Sequence, residues 1–364
     1  MPMREDRVVI ILGAGATLAD GLRKPAKRQP PLDRGFFSNT ISVPAYSAQL
    51  RPVVKYMSEH YGANLRAPEA DSLERVMAVL YTDVFGGVLR QEAFVALRTL
   101  IRTFLLRLAS TTNDIAMTSR CLLYRLIVGF LNQRIAADNI TVITFNQDIQ
   151  AEKALDEIRR KKTRTDQSIF AFPGCYNLPR RVNLTFPSDP RAARFEPRED
   201  GATGIALLKL HGSLNWYSLR NTKNPSRKSL FDPSRSIGIT TRKSIETSMM
   251  VRVQPGVKKR FTFPIVVPPV VHKSGILPED LRPVWALAEE RLRSADRVVI
   301  FGYSCPANDW ESANLVSRSL TKNHPLTEMA VIDPDPGVVL RYVRLANLSR
   351  VSYYSSAEAY LTAE

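Results

Sequence analysis

The chain alternates short apolar runs with longer amphipathic stretches. Arg7 to Leu12 (RVVIIL), Ile140 to Phe145 (ITVITF), Ala206 to Leu210 (ALLKL), Arg297 to Phe301 (RVVIF) and Met329 to Ile332 are the short runs. Most are rich in β-branched residues, and they read as buried strands. Val351 to Tyr354 reads as a last strand, with a short helix after it. A different period governs 71 to about 132. There Phe94, Leu97, Ile101, Phe104, Leu105 and Leu108 recur every three or four residues, the mark of a helix face. Arg98, Arg102 and Arg107 fall mostly on the other side and read as a wet face. Asp71-Ser72-Leu73-Glu74 resembles a capping box, and Cys121 to Leu131 is a second dense apolar helix. Further helices follow Asp148 (to about Lys162), span Leu277 to Arg293, and follow Asn308 or Asp309 (to about Leu320). Strands alternating with helices predict an α/β fold. The expected form is a doubly wound, mainly parallel Rossmann-like sheet with an inserted helical layer.

Three stretches break the alternation. Asp20 to Asn39 is rich in Pro, Gly and charge, shows no helical period, and reads as a long loop or lid, or as a disordered segment. Thr163 to Gly204 is irregular, with one candidate strand at Ile169 to Phe172. Tyr217 to Thr262 reads as a basic loop that ends in a strand-like run, Phe263 to Val267. The domain expectation is therefore one unit over 1–364, with a helical insertion at 40–137 and a basic loop insertion at 217–262.

Composition narrows the class. At 364 residues and 44% hydrophobic content the chain can bury a full core. No apolar run is long enough for a spanning helix, and the Val8–Leu12 run is too short for a signal-peptide core. The expectation is a cytoplasmic protein without a membrane segment. Cys121, Cys175 and Cys305 form no CxxC pair, and His60, His211, His272 and His324 show no metal-ligand spacing, so no metal is expected. The formal net charge is +16. Between Tyr217 and Arg260, eleven Lys/Arg face only Asp232 and Glu246. That surface suits phosphates, nucleic acid or an acidic partner, or is simply a solvated basic loop.

The candidate chemistry lies at strand ends, where ligands sit in doubly wound sheets. Gly13-Ala14-Gly15, Asn146-Gln147-Asp148, His211-Gly212, Gly302-Tyr303-Ser304 and Asp333 all follow predicted strands. A strand running into Gly-x-Gly is the phosphate turn of dinucleotide folds, because glycine lets backbone N–H groups approach a pyrophosphate. Leu18 stands where a third glycine would, and a tight strand-to-helix turn is the other reading. Asp148 can cap the next helix and leave Asn146 to face a ligand. His211 by itself reads as a satisfied strand-end residue. In the company of four other polar or glycine strand ends it reads as ligand-facing.

In this order the motifs resemble the sirtuin-like family: GAG at Gly13-Ala14-Gly15, T-x-N-x-D at Thr144 to Asp148, HG at His211-Gly212, GxS at Gly302 to Ser304, and a late polar residue, Asp333. The KLHGSLNW form around His211 is similar to the bacterial branch that hydrolyses NAD in antiphage defence. The four-cysteine zinc module of sirtuin deacylases is missing. Their GIPDFR segment has only loose stand-ins, Gly21-Leu22 and Asp33-Arg34. The resemblance implies an NAD glycohydrolase that depletes NAD, with NAD as substrate and no metal. An NAD-dependent deacylase and a non-catalytic NAD-binding scaffold are the other readings.

On this resemblance Gly13, Ala14, Gly15 and Ala16 hold the pyrophosphate beside Gly302, with Thr17 and Ser304 as hydroxyl donors. Asp333 accepts from the adenosine ribose. Asn146 orients the ribose or a water, and His211 accepts a proton, since a free imidazole titrates near pH 6.5. Asp148 orients Asn146 or caps its helix. The chain ends with the sheet and is expected to leave no room for a sensing domain. Restraint is then expected from a homo-oligomer, the lid, or a partner ATPase or Argonaute-like protein encoded nearby. The basic loop would serve as the docking surface or contact nucleic acid.

Overall fold

The computed structural model describes residues 5–22, 29–33, 35–67, 71–85, 91–113, 115, 117–162, 169, 174–178, 181–183, 204–220, 237–239, 261–267, 281–306, 309–322, 326–346 and 351–363. The first strand, β1 (Val8–Leu12), is five residues with no more than 2% exposure each. Burying each such side chain contributes roughly 1.5–3 kcal/mol. Helix α1 (Ala14–Gly21) follows at once. Then come five helices without a strand: α2 (Phe36–Ile41), α3 (Pro44–Tyr61), α4 (Leu73–Phe85), α5 (Gln91–Asn113) and α6 (Leu122–Asn132). The chain returns to the sheet in β2 (Ile140–Thr144) and leaves it in α7 (Gln150–Lys162).

After β3 (Arg181–Asn183) and β4 (Ala206–Lys209) the chain turns directly into β5 (Gly212–Arg220). Strands β6 (Ile237–Ile239) and β7 (Phe261–Val266) follow. The last third is α8 (Arg282–Ser294), β8 (Arg297–Phe301), α9 (Trp310–Thr321), β9 (Glu328–Ile332), α10 (Gly337–Ala346), β10 (Ser352–Tyr354) and α11 (Ala357–Ala363).

The main sheet has the order β10-β9-β8-β1-β2-β4, and every pairing in it is parallel. The fold is α/β, with a Rossmann-like parallel sheet flanked by helices. The chain moves from β1 to one side through β2 and β4, then returns to the other side of β1 with β8. The switch point therefore lies between β1 and β8. Crevices at such points hold the ligands of open parallel sheets.

Several expectations need correction. The stretch from Asp20 to Asn39 is not a plain loop: Asp20 belongs to α1, and α2 begins at Phe36. The reason is burial. Phe36 and Phe37 are each 1% exposed, and Phe36 meets the Phe104 ring on α5 at 6.1 Å. The capping residue of α4 shifts by one, to Ser72, whose hydroxyl accepts from Arg75 N–H at 3.2 Å. Asp33 takes the Glu74 N–H at 2.7 Å. Tyr217 to Thr262 is not one loop, since it carries the end of β5, all of β6 and the start of β7. These strands with β3 make a second sheet, ordered β3-β6-β5-β7. Residues 221–236 and 240–260 lie outside the described residues, as does most of the candidate strand at 169–172. Arg98 and Arg102 are exposed as expected, but Arg107 is 3% exposed and lies inside.

The two sheets are tied by a buried polar network. Lys209, at the end of β4, is 1% exposed. Its ammonium donates to the Asp148 carbonyl and, at 2.9 Å, to Glu152 Oε1 on α7. Tyr176 donates to the same Glu152 oxygen at 2.8 Å and accepts from Asn215 of β5 at 3.0 Å. Burial, and then the adjacent Glu152 charge, push the Tyr176 phenol well above its ordinary range, so it stays a donor. Removing one member of a buried ion pair leaves the other charge unmet. Lys209→Met is expected to lower stability by about 3–5 kcal/mol, and Lys209→Met with Glu152→Leu by clearly less. Urea unfolding of the three proteins checks this; a single-variant loss equal to or below that of the double would contradict it.

Candidate functional site at the switch point

The site begins with two glycine turns packed backbone to backbone. Gly13 N–H donates to Phe301 O at 3.1 Å, and Gly15 N–H donates to Gly302 O at 2.9 Å. A Cβ at Gly13 would meet Gly302 O at 2.4 Å, and one at Gly302 would meet Ala16 N at 2.2 Å. Gly302 also has φ +61°, where side chains are strained. The glycines thus serve first to bring the ends of β1 and β8 together. This corrects the simple phosphate-turn expectation for Gly13, Gly15 and Ala16. Their N–H groups are taken by Phe301 O, Gly302 O and Gly13 O. Ala14, at the first position of α1, is the exposed residue of the turn.

The end of β2 is bonded to this turn. Asn146 donates through Nδ2 to Gly13 O at 2.7 Å and to Thr17 Oγ1 at 3.2 Å. Thr17 donates to Asp148 Oδ2 at 2.7 Å, and Asp148 Oδ1 accepts from Gln150 N–H at 2.9 Å, at the start of α7. Asp148 thus accepts at the start of α7 and from Thr17, which in turn accepts from Asn146. Gly13, Thr17, Asn146 and Asp148 form one bonded cluster.

His211 sits in a second cluster. It lies where the chain leaves the main sheet for the second one, with Gly212 at φ +75° making the reversal. Its carbonyl accepts from Val267 N–H at 2.9 Å, and the neighbouring Leu210 carbonyl accepts from Trp285 Nε1 at 2.9 Å. The ring is 6% exposed. It lies 5.2 Å from the Phe145 ring and 6.3 Å from the Trp285 ring. Nε2 is 3.5 Å from Ser312 Oγ and 3.8 Å from Asp309 Oδ2.

Asn308 or Asp309 is the expected cap of the helix that follows; Asn308 lies outside the described residues, and Asp309 does precede α9 but its side chain makes no capping bond. The carboxylate turns inward instead and accepts from the Tyr303 hydroxyl at 3.2 Å. Burial, and then Asp309, push the Tyr303 phenol well above its ordinary range. Tyr303 stacks on Phe145 at 4.2 Å, and this pair joins the two clusters. Sequence reading missed Tyr303, Asp309 and Ser312. Tyr303 stood inside a recognised motif, and its aromatic character beside Phe145 was the available signal.

The remaining candidates line the far side of the switch point. Ser304 is partly exposed, and its carbonyl accepts from Arg341 at 2.8 Å. Asp333, at the end of β9, is partly exposed and accepts from Asp335 N–H at 2.9 Å. Burial raises its pKa above the usual carboxylate value, against the opposing pull of the Asp335 N–H bond. Among the described residues no group of three His, Cys, Asp or Glu could hold a metal ion, and no helix is long and apolar enough to cross a membrane.

No protein-family model matches the chain, and no curated protein matches it. Among solved structures the chain is similar to several Sir2 proteins. A Sir2 enzyme solved for its mechanism and regulation is 10% identical, with 99% of this chain and 90% of that chain covered and a TM-score of 0.41. A substituted Sir2 homologue in complex with 2′-O-acetyl ADP ribose is 13% identical, with 98% and 90% covered and a TM-score of 0.42. A Sir2 complex with a p53 peptide and NAD+ is 12% identical, with 98% and 91% covered and a TM-score of 0.39. At these scores the reading of the site rests on this chain's own residues.

The close approach of the two turns makes a separable prediction. Gly62 has φ +62° with nothing within 4 Å of a built Cβ, so Gly62→Ala carries only the left-handed strain, about 1–2 kcal/mol. Gly302→Ala adds backbone collision and is expected to cost distinctly more. Thermal unfolding of both variants checks the ranking, and equal losses would contradict it.

Proposed function

We propose that the chain is a sirtuin-like NAD glycohydrolase that cleaves NAD to nicotinamide and ADP-ribose and acts as an antiphage effector by depleting NAD. The observation that carries this reading is the glycine seam at the switch point, with Asn146 bonded to it from the next strand. Exposed or partly exposed residues follow one another along adjacent strand ends: Asn146 after β2, Ala14 after β1, Gly302 and Ser304 after β8, Asp333 after β9. That row suits an extended dinucleotide. Ala14 at the α1 N-terminus faces the pyrophosphate, where the helix dipole favours negative charge; Thr17, expected as a hydroxyl donor to the ligand, donates its proton to Asp148 instead. Asp333 accepts from the adenosine ribose, and Ser304 donates beside it.

At the other end the C1′–nitrogen bond breaks with its electron pair passing to the nicotinamide ring, which leaves neutral. No acid is needed for that departure. Water then bonds to C1′ and releases one proton. Asn146 orients the ribose or this water, and His211 takes the proton. The Asp309 carboxylate beside His211 stabilises the imidazolium that forms. Uncontrolled NAD loss would harm the cell that makes the protein. Restraint would come from a homo-oligomer or from a partner ATPase or Argonaute-like protein encoded nearby, met through the basic stretch at 217–262.

The purified protein, with and without the neighbouring gene product, is to be incubated with NAD, and nicotinamide and ADP-ribose measured. Asn146→Ala and His211→Ala are each expected to lower turnover by about 100-fold or more while leaving the circular dichroism spectrum unchanged. Turnover that survives both substitutions would remove these roles. O-acetyl-ADP-ribose formed from an acylated peptide would assign a deacylase instead. NAD binding without turnover under any partner condition would assign a scaffold.

A further inference from the structure

Of the three arginines of α5, Arg98 and Arg102 are exposed and Arg107 lies on the inward face. It is 3% exposed, and burial lowers its pKa from the usual arginine value. Its Nε is buried without a hydrogen-bond partner. Among the described residues its guanidinium meets no carboxylate; the contact it makes is with the Tyr46 ring, whose centroid lies 5.9 Å away. A guanidinium stays charged at any physiological pH, and a buried charge without a counter-charge is costly.

Arg107 lines a cavity of about 60 Å³. The walls include Leu18 of α1, Pro30 and Pro31 of the following segment, and Phe36 of α2. Thr40 of α2 lines the same cavity, and its hydroxyl is 1% exposed as a residue and likewise without a partner. Two residues with an orphaned donor therefore line one small chamber, whose remaining walls are apolar apart from the amides of Gln29 and Asn39. Donors of this kind are matched by oxyanions: a guanidinium binds carboxylate or phosphate through two parallel N–H bonds, and a hydroxyl supplies a third. The volume is far below the roughly 300–1,000 Å³ of a drug-sized ligand pocket, so a whole dinucleotide does not fit.

We propose that this chamber binds a compact oxyanion, a small carboxylate or inorganic phosphate, between Arg107 and Thr40. The site is separate from the glycine seam but shares α1 with it: Leu18 lines the chamber, and its neighbour Thr17 donates to Asp148. An occupant would tie α1, α2 and α5 together.

The test needs no NAD. The full-length protein is titrated with acetate and with phosphate, against chloride at equal ionic strength, because a protein of net charge +16 gathers anions generally. The expected result is a saturable rise in melting temperature with acetate or phosphate, together with a shift of one slowly exchanging arginine Nε–H resonance. Both are lost in Arg107→Met. Thr40→Val keeps the shape of the wall and is expected to weaken binding about 5- to 10-fold, the value of one hydrogen bond. That variant also reports if Arg107→Met does not fold. No rise beyond that with chloride would mean that the chamber holds only water, and an equal rise in Thr40→Val and Arg107→Met would place the anion elsewhere. Either result overturns the proposal.

Discussion

A primary ammonium with 1% exposure has to be met by oxygen on the inside, and Lys209 is met by the Asp148 carbonyl and the Glu152 carboxylate. The candidate site hangs on that arrangement. The ammonium fixes the first turn of α7 against the end of β4. That places the Asp148 side chain against Thr17, and Thr17 and Asn146 against the Gly13 turn. The same lysine stands two residues before His211 and fixes where β4 ends. One buried charge thus sets the relation between the bonded cluster around Asn146 and the ring cluster around His211. An apolar side chain could fill the volume, but it could not direct a carbonyl and a carboxylate at once.

The second organising constraint is steric. Two chain turns, after β1 and after β8, approach so closely that a single Cβ would collide with backbone. This joins the two strand ends at the switch point and takes up most of the turn's N–H groups. Anion attraction is left to Ala14 and the α1 terminus. The arrangement differs from a glycine turn whose every amide faces a phosphate. On the proposed function, more of the recognition then rests on side chains: Asn146, Ser304 and Asp333.

Much of this was legible in the residues. The β-branched runs at 8–12, 140–144 and 297–301 are buried on both faces, and such strands announce themselves by composition alone. The strand-end motifs follow from them, since topology brings successive strand ends to one edge. Other features depended on contacts that no local pattern encodes. Helix α2 buries Phe36 and Phe37, with the Phe36 ring against Phe104 of α5, and the surrounding Pro, Gly and charge hid that signal. The β5–β7 pairing joins residues about fifty apart, across a stretch whose charge suggested a loop. Arg107 follows Arg102 by five residues, not the four that separate Arg98 from Arg102, and that extra step turns it to the face of α5 that α2 and the segment before it cover. Asp309 sits at a helix start, where a cap is the ordinary role, and a buried tyrosine hydroxyl won the competition for its carboxylate.

The central claim is that the row of strand ends over the joined Gly13 and Gly302 turns is the proposed NAD seat. Backbone amide resonances recorded during an NAD titration test it most directly. The account predicts that the largest shifts fall on Ala14, Thr17, Asn146, Gly302, Ser304 and Asp333, along one row of strand ends. Shifts confined to the helices α3 to α5 or to the second sheet, with the glycine turns unmoved, would contradict it.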